Sequence, residues 1–508
     1  MADDETPVLI AGGSLVGLST AVFLGAHGVP SLVVERHRGT AIHPRAALFL
    51  QRTIELYRSV GLEDEIVEAS QREFVQNGAI VAVESLTGRE LQWFFRFINE
   101  GVEELSPSPR LFLTQVGIEP ILHRRAEELG ARVQWGTELV SFEADGDGVT
   151  AVLRDRDSGD ERRVRAQYLV GADGARSPVR QGLGIPMRGH PTFSDSITIY
   201  FRADVRPLIG DRNLSVIYVA NPRVQGFFRF SLEGDAGFLV VNSALDANGE
   251  RTTNVADDMG DERCIAYVRD ALGDPDIAVE VESVQRWAAS AEWAERFADG
   301  RVFLAGDSAH VMPPTGGFGG NTGVQDGHNL AWKLAYVLNH TAGPGLLSTY
   351  DEERRPISAF TVEQAYTRYV TRIDPGLGTD DLEPFVDEAL VDLGYGYGVE
   401  PLCEDPQEPS AAPGRRAPHV VVDGRSTLDL FGRRFVLLGA EAWCDAARSA
   451  ADALDVPLDA HAAGGVYGTA EDGACLVRPD GFVSWRTAEH ADDAEALLSN
   501  ELSRILAR

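Results

Sequence analysis

An aspartate that follows a short apolar strand is the most informative candidate for chemistry in this chain. Residues 300–310 read GRVFLAGDSAH, so Asp307 lies just beyond the carboxyl end of a predicted strand, where its carboxylate can accept hydrogen bonds from a polyol. Residues 313–321 follow as PPTGGFGGN, and their glycines expose backbone N–H groups before a helix predicted over residues 324–339. Such a glycine-rich helix start favours negative charge. A flavin offers both partners, a ribitol chain and a ring edge that becomes anionic on reduction, so this segment predicts a flavin site.

A second motif, near the N-terminus, predicts the dinucleotide half of the same cofactor. Residues 8–11 form an apolar strand, and a second predicted strand, residues 31–34, ends in Glu35. Between them lies the spacing of the G-x-G-x-x-G fingerprint, with serine in place of the middle glycine: Gly12, Ser14 and Gly17. In such a fingerprint the helix N-terminus receives the pyrophosphate and the acidic residue binds ribose hydroxyls. Together the two motifs predict bound FAD.

A third motif makes a family resemblance specific. Residues 168–180 read YLVGADGARSPVR, which is typical of a strand, a turn and the basic start of a helix. In this order the three motifs resemble the class A flavoprotein aromatic hydroxylases, which have the para-hydroxybenzoate hydroxylase fold, from residue 1 to about residue 375. Further segments are similar to those of actinobacterial aromatic polyketide hydroxylases, anthracycline hydroxylases in particular: residues 35–37, 42–46, 363–369 and 476–481.

The resemblance implies an FAD- and NAD(P)H-dependent monooxygenase that hydroxylates a phenolic polycyclic substrate, an aromatic polyketide. FAD would be held non-covalently, NADPH or NADH would reduce it, and O2 would add to give a flavin C4a-hydroperoxide that attacks the ring. Baeyer–Villiger insertion, epoxidation and inactivation of an aromatic drug stay open on the same fold. A non-catalytic flavin-binding scaffold is a further alternative, and no metal is expected.

The resemblance also implies roles for individual residues. Cofactor contacts are expected from Gly12, Ser14, Gly17, Glu35, Arg36, Arg45, Gln115, Asp173, Asp307, Pro313, Gly319, Gly320 and Asn321. Arg45, Pro313 and Arg372 are expected to be catalytic, with Arg372 favouring a phenolate because a nearby positive charge lowers the pKa of a phenol. The predicted substrate contacts are Trp93, Tyr218 and Phe228.

The predicted fold class is α/β, with a Rossmann-like FAD-binding domain interleaved with an antiparallel-sheet substrate domain. The resemblance implies that a C-terminal thioredoxin-like domain follows. Alternating apolar runs between residues 196 and 241 indicate the antiparallel sheet. The predicted boundaries are 1–184 for the first part of the FAD-binding domain, 185–284 for the substrate sheet, 285–399 for the second part with a long helix, and 400–508 for a linker and the C-terminal domain.

Composition limits the partners. The formal net charge of −32 over 508 residues argues against a nucleic-acid partner, which requires a basic face. The four cysteines lie far apart without a CxxC pair (Cys264, Cys403, Cys444 and Cys475), so a structural or dimer-contact role is expected for the C-terminal domain. Without a run of 18 apolar residues or a signal-peptide pattern, the sequence predicts a cytoplasmic protein with no membrane partner. Monomer and homo-oligomer both stay open.

Overall fold

The computed structural model describes residues 4–42, 47–246, 248–257, 259–380, 382–489 and 491–508. Its α-helices are α1 (Leu15–Ala26), α2 (Gln51–Ser59), α3 (Glu63–Glu73), α4 (Gln115–Glu128), α5 (Pro178–Gly182), α6 (Arg206–Ile209), α7 (Asp261–Leu272), α8 (Phe318–Leu338), α9 (Thr349–Arg372), α10 (Glu388–Leu393), α11 (Glu441–Leu454) and α12 (Ala494–Ile505). None of the helices in these ranges is long and apolar enough to cross a membrane.

The strands fall into two large sheets and a C-terminal group. Those up to residue 171 are β1 (Asp4–Ala11), β2 (Ser31–Glu35), β3 (Ala79–Val83), β4 (Glu90–Phe95), β5 (Arg132–Trp135), β6 (Thr137–Ala144), β7 (Val149–Asp155) and β8 (Glu161–Gly171). The middle of the chain supplies β9 (Met187–Arg202), β10 (Leu214–Ala220), β11 (Val224–Phe230), β12 (Ala236–Leu245), β13 (Arg251–Thr252), β14 (Glu280–Ala294), β15 (Ala298–Asp299), β16 (Val302–Leu304) and β17 (His310–Val311). The last strands are β18 (Val421–Val422), β19 (Arg425–Ser426), β20 (Phe435–Gly439), β21 (Leu458–Ala462), β22 (Ala474–Val477) and β23 (Val483–Thr487).

The first sheet brings the three sequence motifs to one edge. Its order is β15-β16-β8-β1-β2-β5, with β7 and β6 added beyond β8, and β16, β8, β1 and β2 run parallel. The carboxyl-terminal parts of β1 and β8 are apolar and buried, where α1 packs on the sheet and α8 packs on α1. The carboxyl ends of these parallel strands therefore place four predicted residues side by side: Gly12, Glu35, Asp173 and Asp307.

The second sheet has the order β17-β14-β9-β12-β11-β10-β3-β4, with β13 paired to β12. All its pairs are antiparallel except β3 with β10. One face packs on α7 in an apolar core, and the other carries Tyr218, which packs with Tyr369 and Ile373 at the end of α9. Strands β9 to β13 lie in the predicted segment 185–284, whereas β14 extends beyond it to Ala294, and β3, β4 and β17 come from outside it.

A smaller sheet, β21-β20-β22-β23, forms the C-terminal unit. Strand β20 pairs parallel with β21 across α11 and antiparallel with β22, and α12 follows β23, an arrangement typical of thioredoxin-like domains. The unit packs on α8, where Phe435 contacts the edges of Trp332 and Tyr336. The predicted α/β fold class is confirmed.

Residues 313–321 are called the flavin loop below. The helix that starts in this loop begins earlier in the chain than predicted. Helix α8 begins at Phe318 and not at residue 324, so Gly319 and Gly320 lie in its first turn. Glycine is a weak helix former, which is why the sequence predicts a later start. Here Gly317 precedes the helix with a φ of +69°, and the side chain of Asn321 holds the first turn by bonding to residues outside the helix.

Candidate active site

The turn between β1 and α1 is so tightly packed that two of its positions require glycine. A Cβ on Gly12, whose φ is +108°, would lie 2.1 Å from the carbonyl oxygen of Ala172, and a Cβ on Gly17 would lie 1.9 Å from that of Gly12. Glu35 lies against this turn and is 8% exposed. Its carboxylate accepts hydrogen bonds from the backbone N–H groups of Gly13 and His37, both at 2.8 Å. The structure thus brings the fingerprint and its acidic residue together, while the side chain of Arg36 is exposed beside them.

Ser14 and Gln115 meet around a carboxylate that the sequence analysis missed. Glu119 is fully buried, and its Oε1 accepts hydrogen bonds from Ser14 Oγ at 2.5 Å, from Gln115 Nε2 at 2.7 Å and from the backbone N–H of Leu15 at 2.9 Å. Its other oxygen accepts from the N–H of Ala41 at 2.6 Å. Glu119 therefore ties the start of α1 to α4; its place one turn after Gln115 was the available signal.

The turn after β8 is bonded directly to the turn that carries Asp307. Asp173 accepts hydrogen bonds from Ser308 Oγ at 2.8 Å and from the N–H of Val179 at 3.0 Å. Arg180 Nη1 donates to the carbonyl oxygen of Ser308 at 2.9 Å. Asp307 directly precedes Ser308 in this turn, and its side chain is exposed. Residues predicted from two separate motifs thus form one surface.

A buried ion cluster lies behind the Asp307 turn. Asp326 accepts hydrogen bonds from the N–H of Gly306 at 3.1 Å, His310 Nε2 at 2.8 Å and Arg354 Nε at 2.8 Å, and all three side chains are fully buried. Burial alone would raise the pKa of Asp326, but the charge of Arg354 and the hydrogen bonds from His310 and Arg354 outweigh it and lower that pKa. The carboxylate therefore links the Asp307 turn to α8 and α9.

The flavin loop is held by an amide that was predicted from the sequence. Asn321 donates through Nδ2 to the carbonyl oxygens of Leu48 at 3.0 Å and Gly317 at 2.7 Å, and accepts from the N–H of Leu50 at 2.9 Å. Pro313 is buried in the same loop, and Gly319 and Gly320 keep part of their surface accessible. Arg45 lies outside the described residues.

On the sheet side, the structure brings Tyr218 and Arg372 together. The ring of Tyr218 lies 5.6 Å from that of Phe94 and 5.8 Å from that of Phe227, and the guanidinium of Arg372 lies 4.7 Å from the Phe94 ring centre. Burial raises the pKa of Tyr218, against the opposing charge of Arg372, although the ring keeps part of its surface accessible.

Two of the predicted substrate residues lie on the opposite face of the sheet, which packs against α7. Phe228 is 1% exposed and packs in the core under α7, and Trp93 pairs with Val81 of that core and bonds to Glu90 through its indole N–H at 2.9 Å. Successive strand residues alternate between faces. The structure therefore places Phe94 and Phe227, not Trp93 and Phe228, beside Tyr218.

Arg372 also has an acidic partner that the sequence analysis missed. Glu388, at the start of α10, contacts Arg372 Nη2 at 3.1 Å and Arg368 Nε at 3.3 Å through the same oxygen. No motif surrounds Glu388 in the sequence. It lies beside Arg372 because the chain folds back across α9.

These groups fit a flavin dinucleotide. The tight glycine turn places the N-terminus of α1 beside Glu35, the Asp307 turn presents an exposed carboxylate, and the start of α8 presents backbone N–H groups. Within the described part of the chain, no cluster of three or more His, Cys, Asp or Glu residues could hold a metal ion.

Comparisons with known proteins agree with this geometry. Residues 5–365 match the family model described as FAD binding domain, and residues 410–508 match the model described as aromatic-ring hydroxylase, C-terminal. The chain is 48% identical to a 4-methyl-5-nitrocatechol 5-monooxygenase of a Burkholderia species, over 100% of this chain and 98% of the relative. It is 39% identical to an aklavinone 12-hydroxylase of Streptomyces purpurascens over the whole of both chains.

The structural comparison points the same way. A crystal structure of aklavinone-11 hydroxylase in a ternary complex with FAD and aklavinone superposes with a TM-score of 0.92. The two sequences are 38% identical, and the match covers 100% of each chain. A flavin-dependent monooxygenase in complex with FAD and substrate superposes with a TM-score of 0.87 at 33% identity, again over the whole of both chains.

Proposed function

Because the chain belongs to the FAD-dependent aromatic-ring hydroxylases, we propose that it hydroxylates a phenolic polycyclic substrate of the aromatic polyketide class. The enzyme is a flavin-dependent aromatic monooxygenase with FAD as cofactor and NAD(P)H and O2 as co-substrates. Support for the substrate class comes from relatives named for aklavinone and tetracenomycin, and from a structural neighbour that holds aklavinone. The bound flavin supplies the activated oxygen.

The observation that carries the proposal is the pairing of Arg372 with Tyr218 on the sheet face that packs against the end of α9. Arg372 favours the phenolate form of a bound phenol, which is the more nucleophilic form, because an adjacent positive charge lowers the pKa of the phenol by roughly 1–3 units. The hydroxyl of Tyr218 orients the phenol oxygen by a hydrogen bond. Phe94 and Phe227 provide flat apolar surface for the rings.

The cofactor contacts form the second part of the proposal. Asp307 binds the ribitol hydroxyls, Glu35 binds the adenosine ribose, and the start of α1 at Ser14 receives the pyrophosphate. Asp173 lies at the pyrophosphate and nicotinamide approach, with Gln115 beside the ribitol. The isoalloxazine ring lies against Pro313, Gly319, Gly320 and Asn321, and Arg36 and Arg45 remain proposed contacts at the cofactor's edge.

A turnover assay tests the proposal. FAD-loaded enzyme is given NADPH, O2 and aklavinone, and we expect a product with one added oxygen atom that does not open on mild alkaline treatment. A product that opens as a lactone would indicate Baeyer–Villiger insertion, and a diol after acid treatment would indicate epoxidation. NADPH oxidation that does not respond to any phenol would favour a flavin-binding scaffold without this activity.

The role of Arg372 is tested in the same assay. We expect Arg372→Gln to lower kcat by about ten- to a hundredfold near neutral pH, because the bound phenol loses the charge that favours its ionisation. The loss should shrink as the pH rises, since hydroxide then supplies the phenolate. Arg296→Gln, at an exposed arginine paired with Asp299, is the matched control. An unchanged pH profile in Arg372→Gln would contradict the assignment.

A second substrate class has specific support. The 48% identical relative is named for 4-methyl-5-nitrocatechol, a single aromatic ring whose nitro group already makes the phenol acidic. The same assay with this compound separates the two classes: a kcat/KM that is at least about tenfold higher for the nitrocatechol than for aklavinone would favour the monocyclic substrate.

A further inference from the structure

Arg368 and Arg372 lie one turn apart at the end of α9 and share a single carboxylate oxygen of Glu388. The side chain of Arg368 is fully buried, and those of Arg372 and Glu388 are 14% and 11% exposed. Two positive charges therefore face one negative charge in a region with little water.

Within the described residues, a further carboxylate, that of Asp387, acts on Arg368 from the protein surface. Asp387 is the neighbouring acidic residue, and its exposed side chain accepts a hydrogen bond from the N–H of Ala389 to cap α10. Burial opposes the ionisation of Glu388, but the two arginines outweigh it and lower its pKa, so the group is a carboxylate near neutral pH. The cluster thus has an excess of positive charge that suits an aromatic anion.

Arg372, one of the two arginines that share Glu388, lies at the proposed substrate face. The guanidinium of Arg372 lies over the Phe94 ring and next to Tyr218, so an ionised phenol bound there would compete with Glu388 for Arg372. Phe385, which is 53% exposed, covers the outer side of the same guanidinium at 5.8 Å.

Arg368, the other arginine, lies next to the flavin loop. The guanidinium of Arg368 lies 5.1 Å from the ring centre of Phe318, the first residue of α8, and 4.3 Å from that of Phe385. The residues after Phe318 are Gly319, Gly320 and Asn321, which the proposed function places against the isoalloxazine. Arg368 also donates to the carbonyl oxygens of Gln364 and Val386, so its position is fixed by α9 and by the segment before α10.

We propose that Glu388 is a positioning residue that couples occupation of the substrate site to the flavin loop. An anionic substrate that binds Arg372 weakens the contact between Arg372 and Glu388, and Glu388 then turns fully toward Arg368. The changed contact with Glu388 shifts Arg368. Because the guanidinium of Arg368 packs on Phe318, this shift moves the start of α8. This inference rests on the proposed function, since it takes the substrate to be a phenol that binds at Arg372.

The test measures flavin reduction by NADPH in stopped flow under anaerobic conditions, with and without saturating 4-methyl-5-nitrocatechol or aklavinone. In wild-type enzyme we expect the phenol to speed reduction by at least about tenfold. In Glu388→Gln the same phenol should change the rate by less than about twofold, while its dissociation constant stays equal or falls, because Arg372 loses its competing partner. The control is Glu404→Gln, which removes a carboxylate bonded to Arg415 in the linker and should keep the wild-type response.

Arg368→Lys provides a second test of the coupling if Glu388→Gln folds poorly. Lysine keeps the charge beside Glu388 but lacks the planar guanidinium that lies on Phe318 and Phe385, so the response to the phenol should again fall. Full stimulation in both variants would overturn the inference, and so would a Glu388→Gln enzyme that binds the phenol more than about tenfold more weakly. Wild-type enzyme that oxygenates a phenol without faster reduction would overturn the coupling but not the proposed function. Wild-type enzyme that binds and oxygenates neither phenol would overturn both.

Discussion

Three aspartates near the predicted flavin site differ in what surrounds them. Asp326 is fully buried among His310, Arg354 and a backbone N–H, and Asp173 accepts from Ser308 and from the start of α5. Asp307 alone of these three is exposed, on a turn that both of the others hold in place. The sequence could identify Asp307 because its signal, a strand followed by Gly-Asp, is local.

Replacing Asp307 should therefore weaken FAD binding without unfolding the protein. We expect Asp307→Ala to raise the FAD dissociation constant by about ten- to a hundredfold, since a hydrogen bond to a charged group contributes roughly 1.5–3 kcal/mol. Titration of apoprotein with FAD, followed by flavin fluorescence, measures the effect. Asp299→Ala, at an exposed aspartate paired with Arg296, serves as control, and full flavin occupancy in purified Asp307→Ala would contradict the role.

Asp392 makes stability depend on pH in the opposite sense to most acidic groups. It is 2% exposed, accepts from the N–H of Arg52 and has one oxygen without a hydrogen-bond partner, and burial raises its pKa to about 6. The folded protein therefore retains this proton above the pKa of the unfolded chain. Its contribution to stability is complete below about pH 4 and is lost as the pH rises through about 6.

Asp392→Asn should consequently stabilise the protein at pH 7.5. The amide keeps an acceptor for Arg52 and removes a buried charge, so we expect a gain of about 2 kcal/mol at pH 7.5 and little change at pH 4.5. Thermal unfolding at the two pH values measures the difference. Equal shifts in Tm at both pH values would show that the effect is not caused by ionisation.

At the level of elements, the sequence predicted most of the strands that form the substrate sheet. It did not predict which face of the sheet their side chains lie on. Alternation in β11 was visible, but it does not say which set of residues meets α7 and which meets α9. Phe228 and Trp93 pack toward the α7 side, and Phe227 and Phe94 take the other. That choice depends on a helix 30 or more residues further along the chain, so no local pattern contains it.

The elements around the flavin loop depend on Asp326 in the same non-local way. Asp326→Asn should cost about 3 kcal/mol or more of stability, because it leaves the fully buried Arg354 without its carboxylate partner. It should also weaken FAD binding, since the Gly306 N–H bond positions the Asp307 turn. Denaturant unfolding of apoprotein and FAD titration measure the two effects separately.

The comparison variant is Asp299→Asn, at an exposed and paired aspartate, which should change neither quantity appreciably. If Asp326→Asn lost stability but bound FAD as tightly as wild type, the cluster would support the fold without positioning the turn.

At the level of the whole molecule, the C-terminal unit is joined to the FAD-binding domain by buried charge. Glu353 of α9 bonds to Lys333 of α8 at 2.7 Å and to Arg478 at 2.6 Å, and Arg416 bonds to Glu55 of α2. Burial lowers the pKa of Lys333 to about 8, against the opposing charge of Glu353. The pairs Glu353–Arg478 and Glu55–Arg416 join residues more than a hundred positions apart, so the sequence indicated a separate unit but not how it is attached.

The cysteines of that unit show whether it has any chemistry of its own. Cys444 and Cys475 are fully buried, and burial raises the pKa of both thiols, that of Cys475 to about 12. Because the reactive form is the thiolate, neither thiol is suited to redox chemistry near neutral pH. We expect the double variant Cys444→Ser, Cys475→Ser to lower Tm and to keep turnover within about twofold.

Arg478→Met provides the contrast, because it removes one buried ion pair between the two units while leaving both thiols intact. It leaves Glu353 and Asp480 with fewer positive partners, so we expect a loss of about 3 kcal/mol or more and a lower FAD occupancy transmitted through α8. Steady-state NADPH oxidation with aklavinone, measured beside thermal unfolding, distinguishes the two variants. If the cysteine variant lost turnover at unchanged Tm while Arg478→Met kept it, the C-terminal unit would act through its thiols and not through its packing on α8.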